Sequence, residues 1–180
     1  MNPARNLILV GPMGAGKTCI GRRLAGHYGL RLVDADHEIE RHTGTTIATI
    51  FECEGEAGFR ARERSMLETL LRDDGLLLAT GGGAVLDPDN RELLRMRGFV
   101  VHLRATPAQQ LERLRHDRSR PLLARPDREA VLHEMAATRD PLYAEVADLA
   151  FDTDTLGAAD AARRLQHELD RHWQRTGATA

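Results

Sequence analysis

Gly11-Pro12-Met13-Gly14-Ala15-Gly16-Lys17-Thr18 sets two glycines, a lysine and a hydroxyl residue at the spacing G-x-x-x-x-G-K-[ST]. The apolar run Leu7–Val10 precedes it and a helical stretch, residues 19–28, follows it, which is the strand–turn–helix context that gives the pattern meaning. Glycines let the backbone turn tightly, so successive N–H groups can converge on phosphate oxygens, and the next helix adds the positive end of its dipole. Lys17 is then expected to reach the β- and γ-phosphates, and the Thr18 hydroxyl to ligate Mg2+. Lys17 is the only lysine among the 25 lysines and arginines, so this one position uses a compact ammonium instead of a planar guanidinium. A plain strand-to-helix turn would not need Gly-Lys-Thr at its end. The implied ligand is a nucleoside triphosphate, and the open question is what receives the phosphate.

Four further groups bear on the acceptor. Asp34-Ala35-Asp36 puts two carboxylates directly after an apolar run. One could hold water around a metal ion and the other orient an acceptor hydroxyl, although Asp36 could instead cap the helix expected over residues 36–43. Glu63 falls inside the helical stripe Phe59, Met66, Leu67, Leu70 and Leu71, with Arg60 at its border. An unpaired inward carboxylate is costly, so Glu63 is expected to hold Arg60 ready for an anion; the alternative is an exposed i, i+3 pair of little consequence. Gly81-Gly82-Gly83 ends another apolar run and leaves room for a backbone to approach a ligand, where a flexible turn is the plainer reading. Arg139 lies on the stripe Val131, Met135, Leu142 and Val146, two residues before Pro141. It is expected to face a cleft beside a proline kink or break, unless it snorkels to solvent.

The elements that must position these groups follow from the hydrophobic pattern. Apolar runs at Leu7–Val10, 30–33, Leu76–Ala79, 99–103 and 149–151 read as strands covered on both faces. Helical patterns separate them, which predicts an α/β fold with a parallel sheet and ligand loops at the C-terminal strand ends. The arginine-rich, proline-broken stretch 115–126 reads as a lid, with one arginine onto the transferring phosphate. Residues 175–180 are expected to fray. A length of 180 residues suits one domain spanning 1–180, and a net charge of −2 argues against a nucleic-acid or polybasic membrane partner. Cys19 and Cys53 show no metal-ligand spacing, the eight histidines show none either, and no stretch reaches membrane-spanning length. The default expectation is a cytoplasmic enzyme acting as a monomer.

Taken together, GPMGAGKT, the Asp34–Asp36 loop, Phe59-Arg60-x-x-Glu63, Thr80-Gly81-Gly82-Gly83, Arg118-Ser119-Arg120-Pro121-Leu122-Leu123 and Arg139-Asp140-Pro141-Leu142-Tyr143 resemble the shikimate kinase family of small P-loop kinases. The resemblance runs from about Leu7 to Asp154. It implies a three-layer P-loop kinase fold with a five-stranded parallel sheet ordered 2-3-1-4-5, helices on both faces, a substrate-binding region near 36–63 and a lid. It implies transfer of the ATP γ-phosphate to the 3-hydroxyl of shikimate, in aromatic amino-acid biosynthesis. Gly14, Ala15, Gly16, Lys17, Thr18 and Cys19 would surround the ATP phosphates, with Arg120 arriving from the lid. Lys17, Asp36 and Arg120 would be catalytic, and Thr18 would ligate Mg2+ directly while Asp34 holds it through water. Asp36 would bind the reacting hydroxyl, Arg60 and Arg139 the shikimate carboxylate, and Gly81, Gly82 and Gly83 the ring hydroxyls, with Glu63 in support. Ala35 stands where relatives often carry a hydroxyl residue, and Leu156-Gly157-Ala158 matches the adenine loop weakly, so no adenine contact is assigned.

Two alternatives stay open on the residues. Another small P-loop kinase, of gluconate or a nucleoside monophosphate, would share the phosphate loop but needs a different acceptor pocket. A non-catalytic nucleotide-binding module would need neither Asp36 nor the two arginines.

Overall fold

The structure, a computed structural model, describes residues 5–115 and 127–174. Five strands, β1 (Leu7–Val10), β2 (Arg31–Asp34), β3 (Leu76–Ala79), β4 (Phe99–Arg104) and β5 (Leu149–Asp152), form one parallel sheet in the order β2-β3-β1-β4-β5. This is the expected order. Among the described residues seven α-helices connect and cover them: α1 (Lys17–Tyr28), α2 (Ala35–Thr43), α3 (Ile47–Leu70), α4 (Pro88–Arg97), α5 (Pro107–Arg113), α6 (Arg128–Val146) and α7 (Ala158–His172).

The two-residue period of a strand divides the core. Leu7 and Leu9 of β1 pack with Leu24 of α1 and Leu165 of α7, whereas Ile8 and Val10 pack with Leu67 of α3, Leu94 of α4 and Val146 of α6. With both faces covered, β1 and β3 are buried at every residue, which is why they read as unbroken apolar runs. The edge strand β5 departs from that pattern: Ala150 and Asp152 are exposed, because this strand has a neighbour on one side only.

Two helices carry Arg60, Glu63 and Arg139, which are expected at the acceptor, and both have irregular sequences. In α3, Gly55 takes φ 69° and ψ −174°, a left-handed φ that a side chain would resist, and it divides the element into two arms. The second arm begins at Glu56, as the stripe through Phe59 and Leu67 predicts. In α6 the proline expected to break or kink the helix leaves it continuous from Arg128 to Val146. Pro141 and Ala137, the residue whose carbonyl loses its partner, both lie on the exposed face, where water can take that hydrogen bond. The buried face of α6 is also rotated from the expected stripe: it runs through Leu132, Tyr143 and Val146, with Val131 and Leu142 half-buried.

Because all five strands run the same way, the segments leaving β1, β2 and β3 emerge along one edge of the sheet. That edge carries the phosphate-loop residues, the Asp34–Asp36 pair and the three glycines.

Candidate active site

The phosphate loop leaves β1 at Gly11, whose φ is 143°. A Cβ there would run into the carbonyl of Leu103 in β4, so only glycine lets the chain turn away against the sheet. Gly16 takes a left-handed φ of 91° as the N-cap of α1, and Lys17 and Thr18 open the helix. The Lys17 ammonium donates to the Gly11 and Pro12 carbonyls at 2.7 and 2.9 Å, arching back over the loop. Gly14, Ala15 and Gly16 thus form the curve itself, and Cys19 follows in the first turn of α1, exposed. A helix N-terminus opened by a tight glycine turn and bearing one ammonium is built for an anion.

The two aspartates after β2 have separate tasks. Asp34 is the N-cap of α2, accepting from the His37 N–H at 3.3 Å, and its other oxygen accepts from the Thr18 hydroxyl at 2.6 Å. The capping role considered for Asp36 therefore belongs to Asp34. Asp36, one position inside the helix, turns its carboxylate to the three glycines instead: a Cβ on Gly81 would lie 2.7 Å from Asp36 Oδ1 and 2.8 Å from Glu63 Oε1.

The glycines are the meeting point of every acceptor group. Glu63 is 1% exposed and accepts from Arg60 at 2.6 Å, as its inward placement on the stripe predicts. Glu56, one turn earlier, adds a second contact to the same guanidinium at 3.2 Å. A side chain on Gly83 would overlap that guanidinium, and one on Gly82 would stand 3.7 Å from Arg139 Nη1 and 3.6 Å from the Met13 amide of the phosphate loop. Gly81 and Gly83 thus have no room for a side chain as the neighbours stand, whereas a Cβ on Gly82 would meet Arg139 and the phosphate loop at ordinary contact distance.

The electrostatics agree. Burial raises the Glu63 pKa, opposed by the charge and hydrogen bond of Arg60; the Asp36 charge pushes it further up and Arg139 draws it down. Glu63 therefore feels all three of the other acceptor groups at once. Its Oε1 has no hydrogen-bond partner among the described residues, a buried acceptor directed at the Gly81 side of the cleft.

Three residues that pattern alone did not single out support this arrangement. Tyr143, one helical turn beyond Arg139, donates its hydroxyl to the Gly82 carbonyl. Its position at i+4 from an inward arginine was the available signal. Arg113 bonds the Gly14 carbonyl at 2.9 Å and also the Thr153 carbonyl, joining the phosphate loop to the segment after β5. Nothing in the sequence pairs those positions. His102, in β4 beside Val10, is buried under the phosphate loop with its ring 4.9 Å from that of Tyr143. Arg120 and residues 116–126 of the expected lid lie outside the described residues, as does the tail at 175–180.

His102 yields a stability prediction. Burial, with the positive charges of Arg104 and Lys17, pushes its pKa down to about 4, while an unfolded histidine titrates near 6.5. Between those values the unfolded chain binds more protons, so this contribution is complete above pH ~6.5 and declines as the pH falls toward 4. From pH 7 to pH 5 the loss is on the order of 2 kcal/mol, measurable by urea unfolding. His102→Phe should flatten the pH dependence by that amount; an unchanged slope would mean that His102 is not held neutral.

The fold and the phosphate loop define a small P-loop kinase, with two arginines and an aspartate gathered at the three glycines beside that loop. The family profile for shikimate kinase matches residues 13–170. The chain is 61% identical over 180 residues to a shikimate kinase of Stenotrophomonas maltophilia and 54% identical to one of Xanthomonas oryzae, each alignment covering both chains completely. In three dimensions it is similar to the shikimate kinase of Acinetobacter baumannii in complex with shikimate, with a TM-score of 0.89 and 48% identity over 93% of this chain and 94% of that one. The chain belongs to the shikimate kinase family.

Proposed function

We propose that this chain transfers the γ-phosphate of ATP to the 3-hydroxyl of shikimate, giving shikimate 3-phosphate and ADP. The observation that carries the reading is the convergence of Asp36, the Glu63-held Arg60 and Arg139 on Gly81–Gly83, against the phosphate loop. A ring with one carboxylate and several hydroxyls suits that set: two guanidiniums for the carboxylate, backbone for hydroxyls, and Asp36 for the hydroxyl that reacts. A nucleotide acceptor would want an apolar slot for its base, which these residues do not provide.

In this reading the 3-oxygen forms a bond to the γ-phosphorus as the bond to the β,γ-bridging oxygen breaks. Asp36 orients the hydroxyl and accepts its proton, and Lys17 balances charge on the β- and γ-phosphates. Arg120 would add a second positive charge from the lid. Thr18 and Asp34 are hard oxygen donors 2.6 Å apart, which fits Mg2+, an ion that keeps several waters and takes few protein ligands. Thr18 would bind it directly and Asp34 through water, and when bound it neutralises phosphate charge. No described helix is long and apolar enough to cross a membrane, which accords with a cytoplasmic enzyme; action as a monomer belongs to the same proposal.

An ADP-release assay against shikimate, quinate, gluconate and AMP tests this. Shikimate should be the preferred acceptor. Good turnover on another acceptor with none on shikimate would sink the reading.

A further inference from the structure

Tyr143 is fully buried, 1% exposed, on the same face of α6 as Arg139 and one turn beyond it. Its hydroxyl donates to the carbonyl of Gly82, the middle residue of the three glycines. Burial drives its phenol far above the ordinary tyrosine range, against the opposing charge and hydrogen bonding of the Arg139 guanidinium. The hydroxyl therefore holds the glycine backbone at the residue that Arg139 faces, a Cβ on Gly82 standing 3.7 Å from Arg139 Nη1, and the phenol is a permanent donor. The ring rests on the neutral imidazole of His102 at 4.9 Å and an interplanar angle of 34°, which ties it to β4 beneath the phosphate loop.

Glycine segments lose more backbone freedom on ordering than any other sequence, so three in a row will not hold a ligand-binding shape unaided. Gly81 and Gly83 donate no hydrogen bond in the ladder beyond Thr80, although their carbonyls accept from Ala84 and Leu86 in the following turn. The Gly82 carbonyl is where a side chain takes hold. Since the peptide is planar and trans, fixing that carbonyl also fixes the direction of the Gly83 N–H.

We propose that Tyr143 is a positioning residue for the acceptor: its hydroxyl locks the Gly81–Gly83 backbone in place beside the Arg139 guanidinium. Its hydroxyl bonds the glycine segment and not the phosphate loop, so its effect falls on acceptor binding. The inference rests on the shikimate reading above.

The test is Tyr143→Phe, which removes one oxygen and keeps the ring stack. The KM for shikimate should rise about ten-fold, the scale of one lost buried hydrogen bond, while the KM for ATP stays within about two-fold. A control variant, Tyr28→Phe, removes the chain's other tyrosine hydroxyl, which bonds Gln166 and Asp170, and should leave the shikimate KM near its original value. A second measurement does not depend on how the variant folds. The chain has two tyrosines, so replacing both with 3-fluorotyrosine gives two fluorine resonances, assigned by Tyr28→Phe. The Tyr143 resonance should shift with shikimate and not with ADP. If wild-type enzyme fails to turn over shikimate, both the reading above and this inference fall. Turnover with an unchanged shikimate KM in Tyr143→Phe, equal loss for both substrates, or a Tyr143 resonance indifferent to shikimate overturns this inference alone.

Discussion

Asp36→Asn is expected to lower turnover by roughly 10²–10⁴-fold, the range over which a positioned general base contributes, while ATP binding stays nearly intact. The two aspartates of the loop after β2 look equivalent in sequence, and the structure divides them. Asp34 is committed on both oxygens, one to the Thr18 hydroxyl and one to the His37 amide, so it serves the phosphate side and the start of α2. Asp36 Oδ1 lies instead beside Gly81, among the acceptor groups. Asparagine preserves its size and one carbonyl oxygen and removes only the charge and the ability to take a proton. In the proposed reaction the phosphate loop would hold the nucleotide through Lys17, Thr18 and backbone amides, none of which needs Asp36. Turnover is read by ADP release, and ATP affinity by calorimetry with a non-hydrolysable analogue. Near-normal turnover, or an equal loss of nucleotide affinity, would remove Asp36 from its role at the acceptor.

Arg139→Ala is expected to weaken shikimate binding by about 100-fold, corresponding to ~3 kcal/mol for a lost charge-assisted contact, with ATP affinity changed little. Arg60 faces the same segment, yet its replacement is the less informative experiment. Arg60→Ala would leave Glu63 buried without its ion-pair partner and would destabilise the fold as well as the site. Arg139 approaches from a different element, α6, and its removal strands no such buried carboxylate. Calorimetric titration with shikimate and with ADP separates the two effects. Equal losses for both ligands would refute the assignment of Arg139 to the acceptor.

Much of this site was legible before any coordinates. The phosphate loop is local: turn, lysine and hydroxyl lie within eight residues, so spacing carries the geometry. Glu63 was legible because a carboxylate on an apolar stripe has to find a partner, and Arg60 three residues earlier was within reach. Arg139 was legible by the same argument. Of the kink or break expected at Pro141 the break does not occur, because a proline acts on a hydrogen bond, and its cost depends on whether the freed carbonyl meets water. Exposure of that kind is a tertiary property. Tyr143, Arg113 and His102 escaped for a related reason: each acts through a backbone atom or ring distant in the chain, at Gly82, Gly14 and Tyr143 respectively.

By itself the sequence determined the alternating α/β order and singled out the phosphate loop, Asp36, Arg60, Glu63, the three glycines and Arg139. Those depend on local spacing and on the cost of burying charge. Tertiary structure alone decided where the carboxylates of Asp34 and Asp36 lie, why Gly81 and Gly83 have no room for a side chain, and what holds the Gly82 carbonyl. The physical reason is that β2, β3, α3 and α6 meet at one sheet edge from distant parts of the chain. Only there do Asp36, Glu63, Arg60 and Arg139 press on the same three residues, leaving no space for a single Cβ at Gly81 or Gly83.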